Sequence, residues 1–361
     1  MLTRKQSKKL LEMSMLIRKI LKRQNLTKNE SKKLMLYILK GYGYKTNQSS
    51  LGAFLAGLYI KGPTIDEILG ALEAIGNYER FKELRVTNMK VTTIVGSGKD
   101  EFKTFNISTV ASFIAAGSGV PVAKVGCRAE TSIAGVTDVL ELLGININCP
   151  FRRMLQSLRD NNIGFFNPEL KLEGLFKHYI GKVNFFNPLE YGLAIYTGIR
   201  VRHILFGISD LKTEISASIL KKYGFGHSMV VCGMTNRGLL FDEISNLNKT
   251  KISELHKSKI RNYYIYPEMF KIKRAKDSEI AQGKSVKENA KIILNILSGK
   301  DKSARRDIVL LNAAGLIYIG GKAKNLTDAF ELATNSLEEG RAMESFEKLR
   351  IYSQGNLKKI I

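Results

Sequence analysis

The 361-residue chain has no tryptophan, six prolines, four histidines and three cysteines. Cys127, Cys149 and Cys232 lie far apart, with no Cys-x-x-Cys spacing and no pairing rhythm. That excludes a disulfide-stapled scaffold, and reduced thiols in a cytoplasmic protein are the simplest account. The histidines are scattered, so no zinc cluster is legible in the sequence. Long hydrophobic runs are also missing. The longest apolar-rich stretch, Val110 to Ala123, is interrupted by Gly117, Gly119 and Pro121, too soon to span a bilayer. The first fifteen residues carry charge throughout and do not read as a secretory leader, so neither secretion nor a membrane partner is expected. Acidic residues are in deficit: 33 against 57 basic ones, a net charge of +24. Such an excess attracts polyanions, nucleic acid among them, and is equally the signature of a solvated basic surface. No stripe of alternating aromatic and basic residues accompanies it.

What is present is patterned. Apolar residues make up 44% of the chain, enough for a large core. Residues 1–25 hold eight Lys/Arg and one Glu around Leu10, Leu11, Met15, Leu16, Ile20 and Leu21. This is a basic amphipathic helix that either packs on the body of the protein or contacts a polyanionic partner. Thr27 with Glu30, and Thr64 with Glu67, have capping-box spacing, and another helix spans Leu51 to Tyr59. Residues 1–88 therefore read as an all-helical unit.

The character changes near residue 90. Val91 to Val95 is a β-branched run entering the glycine loop Gly96-Ser97-Gly98-Lys99-Asp100, and Phe105 to Thr109 then opens an apolar helix. Pro121–Gly126, Phe165-Phe166, Lys182–Phe186, Met229–Cys232 and Leu239–Phe241 are strand candidates. Residues 131–143, 285–299, 304–319 and 325–349 are predicted to be helical. Strands alternating with helices predict an α/β unit, at 89–361, with a mostly parallel sheet.

Three objects could carry chemistry. In the first, Gly96 and Gly98 allow backbone N–H groups to turn toward a ligand, and Asn106, Ser108 and Thr109 follow at a helix start that favours an anion. The same pattern also fits a tight turn with an ordinary N-cap. The second is Asp242-Glu243 after a strand: adjacent carboxylates suit Mg²⁺, and equally make an exposed acidic turn. The third is Lys124 and Arg128, whose charges could neutralise a diphosphate.

In this order, the three objects resemble the anthranilate phosphoribosyltransferase family. Asn106-Ile107-Ser108-Thr109 and Asp242 to Ser245 match its motifs intact, and the family's GTGGD is here Gly96 to Asp100 with Lys99 in place of a glycine. Lys124 to Arg128 stands for KHGNR, with Val125 and Cys127 replacing His and Asn. Ala134 to Glu141 stands for SGSADVLE, with Val136 for a serine, and the stretch RRDIVLLNAAGLIYIGGKA follows the family pattern. The resemblance implies a small helical domain, completed by about 187–201, a large α/β domain, an active-site cleft between them and a homodimer formed through the helical parts. It implies Mg²⁺-dependent transfer of phosphoribose from phosphoribosyl diphosphate to anthranilate or a related aromatic amine, in tryptophan biosynthesis. The donor would be held by Gly96, Gly98, Asp100, Thr104, Asn106, Ser108, Thr109 and Lys124. Ser108, Asp242 and Glu243 would hold the metal, with Cys127 and Lys177 on the acceptor side. The departures favour one alternative, a paralogue of the same fold that binds nucleic acid through its basic surface. A nucleoside phosphorylase shares the architecture, but its glycine-rich donor motif is matched less well.

Overall fold

The computed structural model describes residues 3–41, 47–86, 88–128, 133–170 and 188–355. Contact density divides the chain into two units, Met1–Lys82 with Lys171–Ile195, and Glu83–Leu170 with Tyr196–Ile361.

The first unit is helical. It contains α1 (Arg4–Leu21), α2 (Lys28–Leu39), α3 (Asn47–Lys61), α4 (Ile65–Tyr78) and a short α8 (Glu190–Leu193). Both anticipated capping boxes form, at Thr27/Glu30 and Thr64/Glu67, and Thr3/Gln6 adds a third. Glu67 goes beyond capping. Fully buried, it accepts hydrogen bonds from Leu26 N–H, from the Thr64 N–H and hydroxyl, and from Lys61 Nζ, each within 2.9 Å. A buried carboxylate is tolerable only with its oxygens satisfied in this way. Two glycines set the helix spacing: a Cβ on Gly70 would lie 2.2 Å from the Lys28 carbonyl, and one on Gly57 would lie 2.4 Å from Ile20.

The second unit is built on an eight-stranded sheet in the order β3-β2-β1-β4-β5-β7-β8, with β6 paired to β5. Its strands are β1 (Thr92–Gly96), β2 (Val122–Val125), β3 (Ile163–Phe166), β4 (His203–Gly207), β5 (Ser228–Met234), β6 (Leu240–Phe241), β7 (Thr250–His256) and β8 (Lys259–Ile265). The first five in this order run parallel, whereas β6, β7 and β8 are antiparallel to their neighbours. The hairpin of β7 and β8 has no counterpart in the sequence reading. Its alternation of exposed polar and buried apolar residues is too weak in β8 to announce it.

The helices of this unit are α5 (Ile107–Gly117), α6 (Val136–Leu142), α7 (Phe151–Asn161), α9 (Thr213–Lys222), α10 (Val286–Leu297), α11 (Ala304–Ile319), α12 (Leu326–Glu338) and α13 (Arg341–Gln354). α5 is almost wholly buried and packs on α11 and α13. The single helix expected over 325–349 is two, because Gly340 takes a left-handed φ of 77° and ends the first. The helix expected over 131–143 begins only at Val136, because residues 133–135 are not helical and Gly135 is its N-cap. Residues 131 and 132, and the strand candidate Lys182–Phe186, lie outside the described residues. No described helix is long and apolar enough to cross a membrane.

Candidate active site

The register of the sheet creates the site. Gly96 ends β1 directly beside Gly207 at the end of β4. Neither has a side chain, and Asp242 fills the space that results. A Cβ on Gly96 would lie 2.3 Å from Asp242 Oδ2, and one on Gly207 would lie 1.7 Å from the Asp242 carbonyl oxygen. Gly233 on β5 leaves room for the next residue, since a Cβ there would lie 2.4 Å from the Glu243 carbonyl. Three glycines on three strands thus admit one acidic dipeptide. Gly207 and Gly233 are inconspicuous in the sequence because only pairing between distant strands reveals their purpose.

The glycine loop is closed around that dipeptide. Gly98, with φ 70°, donates its N–H to Asp242 Oδ2 at 2.9 Å, and Ser97 N–H goes to the Gly207 carbonyl at 3.0 Å. The expectation that these N–H groups turn toward a ligand is corrected: they turn toward Asp242 and the neighbouring strand. Asp100 Oδ1 accepts the Asp242 N–H at 2.8 Å and the Ser209 hydroxyl at 2.6 Å. Ser209 is a further member that the sequence reading missed. Desolvation, reinforced by the charge of Asp242, holds the Asp100 carboxyl well above the usual carboxylate range.

The start of α5 carries the second surprise. Its N-terminal turn faces an acidic group of the protein itself, since the Ser108 backbone favours the charged form of the Glu243 carboxyl. Burial and then Asp242 push the Glu243 carboxyl well above its usual range, against the pull of Lys124 and Ser108. Lys124 is 3% exposed and donates from Nζ to Ser108 Oγ at 3.2 Å and the Ile94 carbonyl at 3.4 Å. Burial lowers its pKa to about 8, with Glu243 opposing. Asn106 precedes α5 without capping it. Its Nδ2 donates to the Ala134 carbonyl at 3.2 Å, and its Oδ1 is buried with no hydrogen-bond partner. Thr109 Oγ1 is likewise buried and unpartnered. Lying together at the start of α5, these two atoms have hydrogen-bonding capacity left for a ligand or water.

The remaining predicted residues are dispersed. Thr104 forms an isolated bridge with Ala281. Arg128 is exposed and pairs with Asp138 at 2.9 Å and Glu141 at 3.3 Å on α6. Cys127 is half-buried, and its carbonyl accepts from Thr137 N–H at 3.3 Å. Val136 covers Gly126, where a Cβ would lie 2.5 Å from the valine Cβ. Lys177 lies outside the described residues.

Comparison with known proteins fits this geometry. Residues 14–77 match the helical bundle domain, and residues 88–343 the a/b domain, of the glycosyl transferase family. The chain is 33% identical to the anthranilate phosphoribosyltransferase of Alkaliphilus metalliredigens over 95% of its own length and 98% of the relative's. It is 36% identical to that of Methanocorpusculum labreanum, over 94% and 97%. Among solved structures, the anthranilate phosphoribosyltransferase of Thermus thermophilus superposes with a TM-score of 0.82 at 25% identity, covering 94% of this chain and 99% of that one. The Saccharomyces cerevisiae enzyme in complex with PRPP and Mg shares the fold with a TM-score of 0.79 at 22% identity, covering 95% and 98%. A helical unit, a mostly parallel α/β unit and relatives matched end to end agree: the chain belongs to the glycosyl transferase family that includes the anthranilate phosphoribosyltransferases, a family of pentosyl-transferring enzymes.

Proposed function

We propose that this protein is a Mg²⁺-dependent phosphoribosyltransferase, taking phosphoribosyl diphosphate as donor and anthranilate or a related aromatic amine as acceptor, in tryptophan biosynthesis. The observation that carries the reading is the carboxylate cluster Asp100, Asp242 and Glu243. It is packed into a glycine-lined recess with two members pushed above the usual carboxylate range. Negative charge gathered at this density is unstable alone and is relieved by a divalent cation. The donor set is all oxygen, counting Ser108 Oγ, and so fits a hard cation that keeps some positions for phosphate oxygens. When bound, Mg²⁺ would supply Lewis-acid stabilisation of the departing diphosphate.

The protein's own residues do the positioning. Asp100 and Gly98 lock Asp242 from two sides, and α5 orients Glu243 through Ser108 N–H. Lys124 sets a cationic nitrogen against Ser108. Asn106 Oδ1 is the group to accept a hydrogen bond from a ribose hydroxyl of the donor, and the Thr109 hydroxyl the group to donate to one of its phosphate oxygens. Such fixed dipoles and charges lower the barrier without a covalent enzyme intermediate. On the acceptor side, Val125 and Cys127 place apolar groups where relatives carry His and Asn, which favours an acceptor with fewer polar contacts there.

The same reading makes the protein a cytoplasmic homodimer. On α1 and α3 of the helical unit, Leu11, Met15, Leu21, Tyr59 and Ile60 are all at least 59% exposed, a density of large apolar side chains that suits a second copy. The nucleic-acid alternative draws on the +24 charge, Lys99 and the basic residues of α1.

Loss of anthranilate fluorescence in the presence of donor and Mg²⁺, abolished by chelator, tests the reading. Donor binding in calorimetry without anthranilate turnover would redirect it to another acceptor. Absence of donor binding at millimolar concentration would overturn it.

A further inference from the structure

The end of the sheet remote from the Asp242-Glu243 loop holds a second cluster of side chains with metal-binding chemistry. β5 lies antiparallel to β7, with Ser228 opposite Leu255. That register gathers residues that the sequence scatters. His227, Glu254 and His256 offer ligand atoms that all lie within 4.8 Å of one another. His227 Nε2 lies 2.8 Å from Glu254 Oε1, and the His227 and His256 rings stack with centroids 4.3 Å apart. Five residue steps along β5 lead from Ser228 to Gly233 beside Glu243, roughly 16 Å of strand, so the two sites are distinct.

The surroundings of Glu254 are those of an oriented ligand. It is 1% exposed. The Tyr318 hydroxyl donates to Oε1 at 2.9 Å and the Tyr263 hydroxyl to Oε2 at 3.0 Å, while Arg261 reaches Oε2 at 3.4 Å from an exposed position. His203 Nδ1 donates to the His227 carbonyl at 3.0 Å and fixes the backbone there. Hydrogen bonds of this outer kind hold metal-ligating carboxylates in place. His256 is exposed and opens the cluster to solvent.

We propose that His227, Glu254 and His256 bind one borderline divalent transition ion, with Zn²⁺ as the reference case. Two imidazoles and a carboxylate, with the fourth position left to water, are an established zinc ligand set. The two nitrogen donors exclude Mg²⁺ and Ca²⁺ as the preferred occupant. A tetrahedral ion spaces its ligand atoms about 3.3 Å apart. That falls between the 2.8 Å pair and the 4.8 Å limit found here, so rotations of the two rings complete the site. On binding, His227 Nε2 gives up its hydrogen bond to Glu254 and faces the ion, with the ring's one remaining proton on Nδ1. The ion would tie the start of β5 to the end of β7 and, through Tyr318, to the last turn of α11.

The test uses the tag-free full-length chain, stripped with chelator and titrated with ZnCl₂ in buffer containing millimolar Mg²⁺. One equivalent should bind and raise the melting temperature. Co²⁺ in its place should show the visible bands of a four-coordinate nitrogen/oxygen site. His256→Ala should weaken binding at least about tenfold, and Tyr318→Phe about tenfold. Asp242→Asn should bind Zn²⁺ like the parent, because it lies at the other site. His256→Gln keeps the side-chain bulk and should lose binding as well, should the alanine variant fold poorly. No zinc binding, binding indifferent to His256, or binding lost with Asp242 would each overturn the proposal.

Discussion

Asn312, on α11, holds both backbone groups of Ile244. Its Oδ1 accepts the Ile244 N–H at 2.9 Å, and its Nδ2 donates to the Ile244 carbonyl at 3.0 Å and to the Ile308 carbonyl at 2.9 Å. One fully buried amide thereby anchors the residue directly after the acidic dipeptide to the helix beneath the sheet. Leucine at 312 keeps the volume but strands a buried donor and acceptor. Asn312→Leu should cost about 2–4 kcal/mol in denaturant unfolding and reduce phosphoribosyl transfer more than tenfold. Asn312→Asp, which still accepts from Ile244 N–H, should fall between the two if the amide acts by anchoring the loop.

Glycines in this site differ sharply in what they tolerate. Gly98 has a positive φ but open space around it, so Gly98→Ala should cost only about 1 kcal/mol. Gly207 has ordinary backbone geometry, but its Cβ would lie 1.7 Å from the Asp242 carbonyl. Gly207→Ala should therefore displace the dipeptide, costing about 3 kcal/mol and abolishing donor-dependent activity. Parallel melting curves and turnover on both variants check the ranking, which is the reverse of what φ alone would suggest.

Function and stability should trade off at Asp242. It sits beside Asp100 and Glu243, whose anionic forms are already disfavoured. Asp242→Asn removes one negative charge and can keep an oxygen for Gly98 N–H. In the absence of Mg²⁺ the variant should be more stable than the parent, by about 0.5–2 kcal/mol, while transfer activity falls at least about a hundredfold. A variant both less stable and fully active would contradict the assignment of this cluster.

Alkaline pH should expose the Cys232 thiol. Burial, and then Asp210, Asp100 and Asp242, raise its pKa from 9.0 to about 12. For an acid whose folded pKa is raised, the contribution to stability is complete below the unfolded value and is lost as pH climbs through the folded one. Stability should therefore decline between pH 9 and about 12, with at most roughly 4 kcal/mol traceable to this residue. Cys232→Ala should flatten that part of the profile, and iodoacetamide should leave the native thiol unmodified at pH 8.5.

The starts of α2 and α4 were legible, because the capping boxes Thr27/Glu30 and Thr64/Glu67 are local devices whose partners are three residues apart. Four of the parallel strands were legible as short local apolar runs, but β4 (His203–Gly207), the strand that carries Gly207, was not among the strand candidates. The long C-terminal helix was misread at Gly340, where a glycine compatible with a helix interior instead takes φ 77° and ends one helix before the next begins. The β7–β8 hairpin was missed because Lys259 to Ile265 carries charge and tyrosine where a strand usually shows clean alternation.

By itself the sequence determined the class of fold, the identity of the acidic dipeptide and the hydroxyl-rich start of α5, because each is written in contiguous residues. Tertiary structure decided how those pieces are used. Strand register alone sets Gly96 beside Gly207 and so admits Asp242. Tertiary packing also brings Glu243 to the α5 N-terminus and buries Lys124 against Ser108, while at the surface Arg128 pairs with α6. Antiparallel pairing of β5 with β7 likewise brings His227 to Glu254 across 27 residues of chain. The physical reason is common to all of these: hydrogen bonding, desolvation and close approach depend on distance in space, and for these residues no short stretch of sequence encodes it.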